Sequence, residues 1–298
     1  MKKNILVVYY TQSGQLKAIA DRIVLPLEDG NVVYHEIRME TEFPFPWTGD
    51  QFFDAFPDSF DQRPHPLKPV PAEILEGHYD LVLFCYQVWF LSPSIPITSF
   101  LKSEEGKKLL KGRPVVTVSA TRNMWILAQE KVKEMLREAG ATLVGNIALV
   151  DRAPNLVSVV TIVDWLFSGV KRKYLGVFPL PGVSEQDIQG AEKWGKMIGR
   201  HLDAGTLDRL QPDLAASGAV EVSSFLLSVD QKGNKIFKKW ARLLAKQPGR
   251  RKGLLKLFNL YVVLALYVVS PVVFVFHHLT YPFWRRSFLR EREYFQSV

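Results

Sequence analysis

The stretch from Ile5 to Ile23, ILVVYYTQSGQLKAIADRI, decides how this chain is read. Six apolar residues, Ile5 to Tyr10, come first. A polar turn follows, Thr11-Gln12-Ser13-Gly14-Gln15, and then Leu16, Ile19, Ala20 and Ile23 recur at helical spacing. The pattern predicts a buried strand, a tight loop and an amphipathic helix. Free N–H groups at the helix start, hydroxyls from Thr11 and Ser13, and the small Gly14 together suit an anion such as a phosphate monoester. The same residues also fit an ordinary strand–turn–helix with a hydroxyl as N-cap. The loop has neither the Lys of a Walker motif nor the spaced glycines of a dinucleotide fingerprint, which argues against ATP and NAD.

Working outward, the alternating stretch Asn31–Arg38 and the runs Tyr79–Cys85, Pro114–Ser119 and Thr142–Val150 read as further strands. Helical patterns lie between them, near 95–110 and 126–139, so the strands should pair in parallel through right-handed crossovers. Five such strands fit an α/β doubly wound sheet of order 2-1-3-4-5, whose ligands bind beyond the carboxyl ends of the strands. The loops after the first, third and fourth strands should therefore meet. A long insertion, Met39–Pro71, is rich in proline and aromatics. Leu156–Phe167 reads as an apolar helix, and a closing helix near 185–202 is capped by Ser184 or a neighbour. Residues 204–229 give no clear pattern.

The 298 residues are 47% hydrophobic, ample for a core, with a formal net charge of +8. That charge is uneven. From Asp230 onward there are 14 Lys/Arg and 3 Asp/Glu, against 24 and 27 before it. A basic main domain would suggest nucleic acid; a basic, aromatic tail suggests an anionic membrane surface instead. The single cysteine, Cys85, excludes an intramolecular disulfide and, at the end of a buried strand, reads as structural. The histidines show no metal-ligand spacing, so no metal is expected.

YYTQSGQL resembles the phosphate loop of the flavodoxin superfamily, with Leu16 where many members carry a second Thr. Together with FPFPWT, WFLSPSIP, TRNMW and GNIALVDR, it makes residues 1–205 similar to the flavodoxin-like proteins of bacterial dialkylresorcinol and flexirubin pigment clusters. Members of that group are labelled a condensing enzyme or an aromatase acting after a separate ketosynthase. The resemblance implies FMN as cofactor and a flavodoxin-like fold. It implies cofactor contacts from Thr11, Gln12, Ser13, Gly14, Gln15 and Leu16, from Gln87, Val88, Trp89, Phe90 and Leu91, and from Ser119, Ala120, Thr121, Arg122, Asn123 and Trp125. A homodimer is expected by similarity to flavin reductases.

A decarboxylative condensing enzyme needs an activated Cys with His partners, which this sequence does not offer. A flavin aromatase is chemically reasonable. Loss of one hydride to the flavin and one proton to a base converts a 2,5-dialkylcyclohexane-1,3-dione into a resorcinol. The candidates for the chemistry are Tyr86, Asp151 or a water as proton acceptor, with Arg122 stabilising the reduced flavin. Met39–Pro71 and Leu156–Phe167 are candidate walls of an alkyl-tolerant pocket. Two other readings stand beside this one: an NAD(P)H:quinone or FMN reductase with NAD(P)H as a transient reductant, and a non-enzymatic electron carrier.

Residues 206–298 read as a helical tail. Asn234–Lys246 is amphipathic, with Asn234 as expected N-cap. Leu257–Trp284 contains no Asp, Glu, Lys or Arg. Leu257–Phe276 is long enough to span a bilayer, while Ser270-Pro271 should kink it and allows a surface-lying segment. The basic cluster before it favours an enzyme on the cytoplasmic face of the inner membrane.

Overall fold

The computed structural model describes residues 2–27 and 30–298. The opening run forms β1 (Asn4–Tyr9), followed by α1 (Gln15–Val24) and β2 (Asn31–Glu36). The aromatic insertion carries three short helices, α2 (Gly49–Asp54), α3 (Phe56–Phe60) and α4 (Ala72–Leu75). Next come β3 (Leu81–Tyr86), a tight hairpin of β4 (Val88–Trp89) and β5 (Ser92–Pro93), and the helices α5 (Ile95–Lys102) and α6 (Glu104–Leu110). Then β6 (Pro114–Thr121), α7 (Ile126–Glu138) and β7 (Thr142–Val150) complete the sheet.

The five long strands are parallel in the order β2-β1-β3-β6-β7, which is 2-1-3-4-5 once the hairpin is set aside. This is the flavodoxin-like order expected from the sequence. Side chains of β1 alternate between two cores, Ile5, Val7 and Tyr9 on one face and Leu6 and Val8 on the other. A strand buried on both faces has to be apolar at every position, which is why β1 and β3 read as unbroken runs. The helix expected over 95–110 is two helices. Ser103 adopts an extended conformation between them, and its side chain accepts from Gly106 N to cap the second.

Beyond the sheet lie α8 (Asn155–Ser168), α9 (Glu185–Gly190), α10 (Glu192–Ala204) and α11 (Leu210–Ala216). Ser184 caps α9 through Asp187 N, as expected. The segment without a clear pattern covers the β7 edge. Leu210 and Leu214 are fully buried, and Ala148 N donates to Ala219 O at 2.8 Å. At Gly145 a Cβ would lie 3.0 Å from Leu214 and 3.2 Å from Leu210, so a larger residue would push those side chains back slightly.

The tail helix α12 (Ser224–Lys246) begins ten residues earlier than its amphipathic stretch suggested. Ser223, not Asn234, is the N-cap; Asn234 lies inside the helix, and its amide donates to Asp230 Oδ1 at 3.1 Å. The apolar segment forms α13 (Arg251–Leu264) and α14 (Ser270–Gln296), joined by a π-helical turn at Ala265–Val269. Helix therefore continues through Ser270-Pro271. The widened turn ahead of Pro271 accommodates a residue that cannot donate a backbone hydrogen bond.

Candidate functional site

The loops after β1, β3 and β6 meet at the carboxyl edge of the sheet. They line one cavity of about 220 Å³, with Gln12, Ser13, Gln15 and Leu16 from the first, Gln87, Val88, Trp89 and Phe90 from the second, and Ala120, Thr121 and Arg122 from the third. The convergence follows from topology: β1, β3 and β6 are neighbours and point the same way.

The first loop is held open by its own hydrogen bonds. Gly14 takes a left-handed conformation at φ 79° and serves as N-cap of α1, with no side chain capping the helix. The hydroxyl of Thr11 instead accepts from Gly14 N at 3.1 Å. The hydroxyl N-cap that the sequence allowed is therefore absent, and the uncapped amide end of α1 is left for a ligand. Gln15 ties this loop to a distant turn. Its Nε2 donates to Val183 O at 3.0 Å, and Val183 N donates to its Oε1 at 3.0 Å. The turn needs Gly182, at φ 82°, because a Cβ there would come within 2.6 Å of Gln15 Oε1 and 2.9 Å of Trp165.

The second loop is strained. Phe90 and Leu91, at φ 50° and 60°, occupy the left-handed region at the corner of the β4–β5 hairpin. Ser59 Oγ donates to Trp89 O at 3.0 Å and helps hold that corner. The strained turn points Phe90 at Phe52 (ring centroids 4.6 Å apart) and Phe56 (5.4 Å). Trp89 meets Tyr10, Phe43 and Trp47 edge-on, at 6.1, 5.1 and 5.3 Å. Leu91 is buried, outside the cavity lining.

In the third loop Arg122 is half-buried. Its Nη1 donates to Asn155 Oδ1 at 2.7 Å and to Asn155 O at 3.3 Å. No ion pair to it occurs among the described residues. Burial pulls the guanidinium down to about 10, opposed by the charge of Asp151, so it remains cationic at neutral pH. Two further polar atoms at the cavity, Gln87 Oε1 and Thr121 Oγ1, are buried with no hydrogen-bond partner. Such atoms are rare in folded proteins and point to an absent ligand or water.

Other expected site residues lie apart from the cavity lining. Tyr86 is wholly buried, and its hydroxyl donates to Gln129 Oε1 at 2.7 Å; burial pushes the phenol well above its ordinary value. Ser119 is buried in β6, and Trp125 belongs to the core below α7. Asn123 donates to Asn155 Oδ1 at 2.7 Å, beside Arg122. Asp151 is also buried; its carboxylate accepts from Ala153 N (2.9 Å), Ser158 Oγ (2.8 Å) and Gly182 N (3.3 Å). These bonds organise the loop into α8 and the Gly182 turn, which makes Asp151 a positioning residue.

Apolar walls complete the cavity. Phe45, Trp47 and Phe52 come from the insertion, and Ile162, Trp165 and Leu166 from α8. Gln12 fastens the insertion to the first loop, accepting from Trp47 Nε1 at 3.2 Å and donating to Pro44 O at 3.1 Å. Trp47 N in turn donates to Leu166 O at 3.0 Å. Both walls fall in the segments the sequence singled out. Gly182 had no such signal beyond its place in a Pro-Gly-Val-Ser turn.

No family model and no curated relative matches the chain. Among solved structures, it is similar to a Lactobacillus acidophilus flavoprotein in complex with FMN, at 20% identity over 49% of this chain and 93% of that one, with a TM-score of 0.40. A putative flavoprotein from Bacteroides eggerthii is 17% identical over 50% and 89%, with a TM-score of 0.39. A flavodoxin from the domain Archaea is 14% identical over 67% and 99%, with a TM-score of 0.37.

Proposed function

We propose that the chain is an FMN-dependent oxidoreductase whose substrate is a lipophilic cyclic diketone, aromatised to a dialkylresorcinol on a route to a pigment. The observation that carries this reading is the cavity itself. An uncapped helix end, two unpartnered polar atoms and a half-buried arginine without an ion pair among the described residues face it from three loops, between apolar walls.

The residues present fit FMN. The free amides at the start of α1, beyond Gly14, would hold the phosphate. Trp89 and Phe90 would bound the ring, and Gln87 and Thr121 would hydrogen-bond its polar edge. When bound, FMN would supply a two-electron hydride acceptor. Arg122 would hold negative charge at the far end of the cavity, and in low dielectric it does so strongly. The walls exclude water and accept alkyl groups.

Arg122 is the only acidic or basic side chain among the described cavity-lining residues, and these include no carboxylate, imidazole or thiol to take a proton. That favours a substrate acidic in its own right. A cyclohexane-1,3-dione enolises readily; from that enol a C4 proton would leave to water with Arg122 stabilising the resulting enolate, hydride would depart from C5, and transfer of a C6 proton to the remaining carbonyl oxygen would complete the resorcinol. A separate ketosynthase would supply the ring. The same lack of a base also suits a second reading, reduction of a lipophilic quinone with NAD(P)H visiting the cavity.

Purified protein should be yellow and release FMN on denaturation. The flavin should bleach anaerobically with a 2,5-dialkylcyclohexane-1,3-dione and yield the resorcinol. Bleaching by NAD(P)H and not by the dione selects the quinone reading. A colourless protein that takes up no added FMN rejects both.

A further inference from the structure

We propose that the chain docks on an anionic lipid bilayer with α13 and α14 lying in the plane of the membrane, not crossing it. This goes beyond the flavin reading and does not depend on it.

One helix, Pro248–Gln296, is long and apolar enough to cross a bilayer. A crossing helix must place its two ends on opposite sides, about 30 Å of hydrocarbon apart. Here the helix is fastened to one globular body along its length. Near its start, Phe258 is buried and stacks on Phe56 with ring centroids 3.9 Å apart. At the π turn, Asn155 Nδ2 donates to Ser270 Oγ at 3.3 Å. Further on, His277 is buried beside Phe225, their rings 5.5 Å apart. Near its end, Phe288 joins the main core, and Gln296 Nε2 donates to Val220 O at 2.9 Å. The uncharged stretch Leu257–Trp284 is roughly 40 Å of helix at about 1.5 Å per residue. Its two flanks touch the same domain, so they cannot stand on opposite faces of a membrane.

The opposite face is bare. Leu260, Val268, Val275, Phe276, Leu279 and Phe283 are exposed, Phe276 at 67% and Phe283 at 90%. So broad an apolar surface is not left to water without a partner. Charge selects the partner. Exposed basic residues stand at both ends of the stretch, Arg250, Lys252 and Lys256 before it and Arg285, Arg286 and Arg290 after it. For a crossing helix one of these clusters would be on the wrong side. For a helix lying flat, both reach the same layer of anionic headgroups. A second apolar strip follows α8, where Leu175 and Val177 are 73% and 81% exposed beside Lys171, Arg172 and Lys173.

The test uses the full chain and preformed vesicles of phosphatidylcholine, with or without phosphatidylglycerol. The protein should co-sediment with the anionic vesicles and bind the neutral ones more weakly. Phe276→Asp with Phe283→Asp should cut partitioning at least roughly tenfold, with an unchanged thermal melt because both side chains are exposed. Sidedness comes from Lys252→Cys and Ser297→Cys, labelled singly with a membrane-impermeant maleimide added outside; native Cys85 is buried. Labelling of both sites on bound protein is the expected result. Protection of one site means a crossing helix and overturns the proposal. Protein that stays in the supernatant also overturns it, whether as a monomer or as a dimer with this face covered by a second copy.

Discussion

Two polar regions lie on either side of the peptide bond joining Tyr86 to Gln87. On one side, the Tyr86 hydroxyl donates to Gln129, Gln129 Nε2 donates to Thr117 Oγ1 at 3.0 Å, and Thr117 donates to Asn146 Oδ1 at 3.0 Å. That chain stitches β3, α7, β6 and β7 together inside the core. On the other side, Gln87 Oε1 and Thr121 Oγ1 are buried without a partner, next to the half-buried Arg122. A buried polar group costs free energy unless paired, so the first region stabilises the fold and the second is tolerated for what it binds.

The largest effect should come from the spare side. Arg122→Gln is expected to lower turnover of the dione by roughly 10²–10³-fold, about 3–4 kcal/mol in the transition state, read by steady-state kinetics. If turnover holds, the cavity is not where charge develops.

Next is a buried carboxyl that belongs to neither region. Asp230 accepts from Leu127 N at 3.1 Å, and burial raises its carboxyl from 3.8 to about 6, against the attraction of Lys131. Between those values the folded state keeps a proton that the unfolded state has released. Stability should therefore fall as pH rises from about 4 to 6, by about 2–3 kcal/mol. Asp230→Asn should flatten that slope in urea unfolding followed across pH.

Gly182→Ala should cost about 2 kcal/mol, since it forces a Cβ into a left-handed turn against Gln15 and Trp165. FMN affinity should fall with it, because the turn latches the first loop; equal loss of stability with unchanged affinity would detach latch from cradle. Tyr86→Phe sharpens the comparison from the other side, with about 1–2 kcal/mol lost in thermal or urea unfolding and turnover retained. The smallest effect is Arg152→Ala. Its partners Asp187 and Glu221, both at 3.1 Å, are on the surface, and the change should stay within about 0.5 kcal/mol with no effect on turnover.

Much of the sheet and of the loop convergence was legible because buried parallel strands have to be apolar throughout. Trp89 marked the cavity for the same reason that aromatics mark any slot. What the sequence concealed were choices made by tertiary neighbours. Tyr86 looked available for chemistry, but only the approach of Gln129 from α7 shows that its hydroxyl is taken. Asn234 has the right chemistry for a cap, yet Ser223 does that job, because Phe225 and Leu227 have buried partners that extend the helix backwards. The apolar tail stretch passed every composition test for a span. Only the contacts of Phe258 and Phe288 reveal that one side of it belongs to the domain.

The latch between Gln15 and Val183 joins residues 168 positions apart. During synthesis the first loop therefore leaves the ribosome long before its fastening exists. A nascent chain would display the unlatched loop while the next 168 residues, just over half of the 298, were made. On the proposed function, stable cofactor capture would wait for the closing turn to be made, and a truncated translation product should be recovered without flavin.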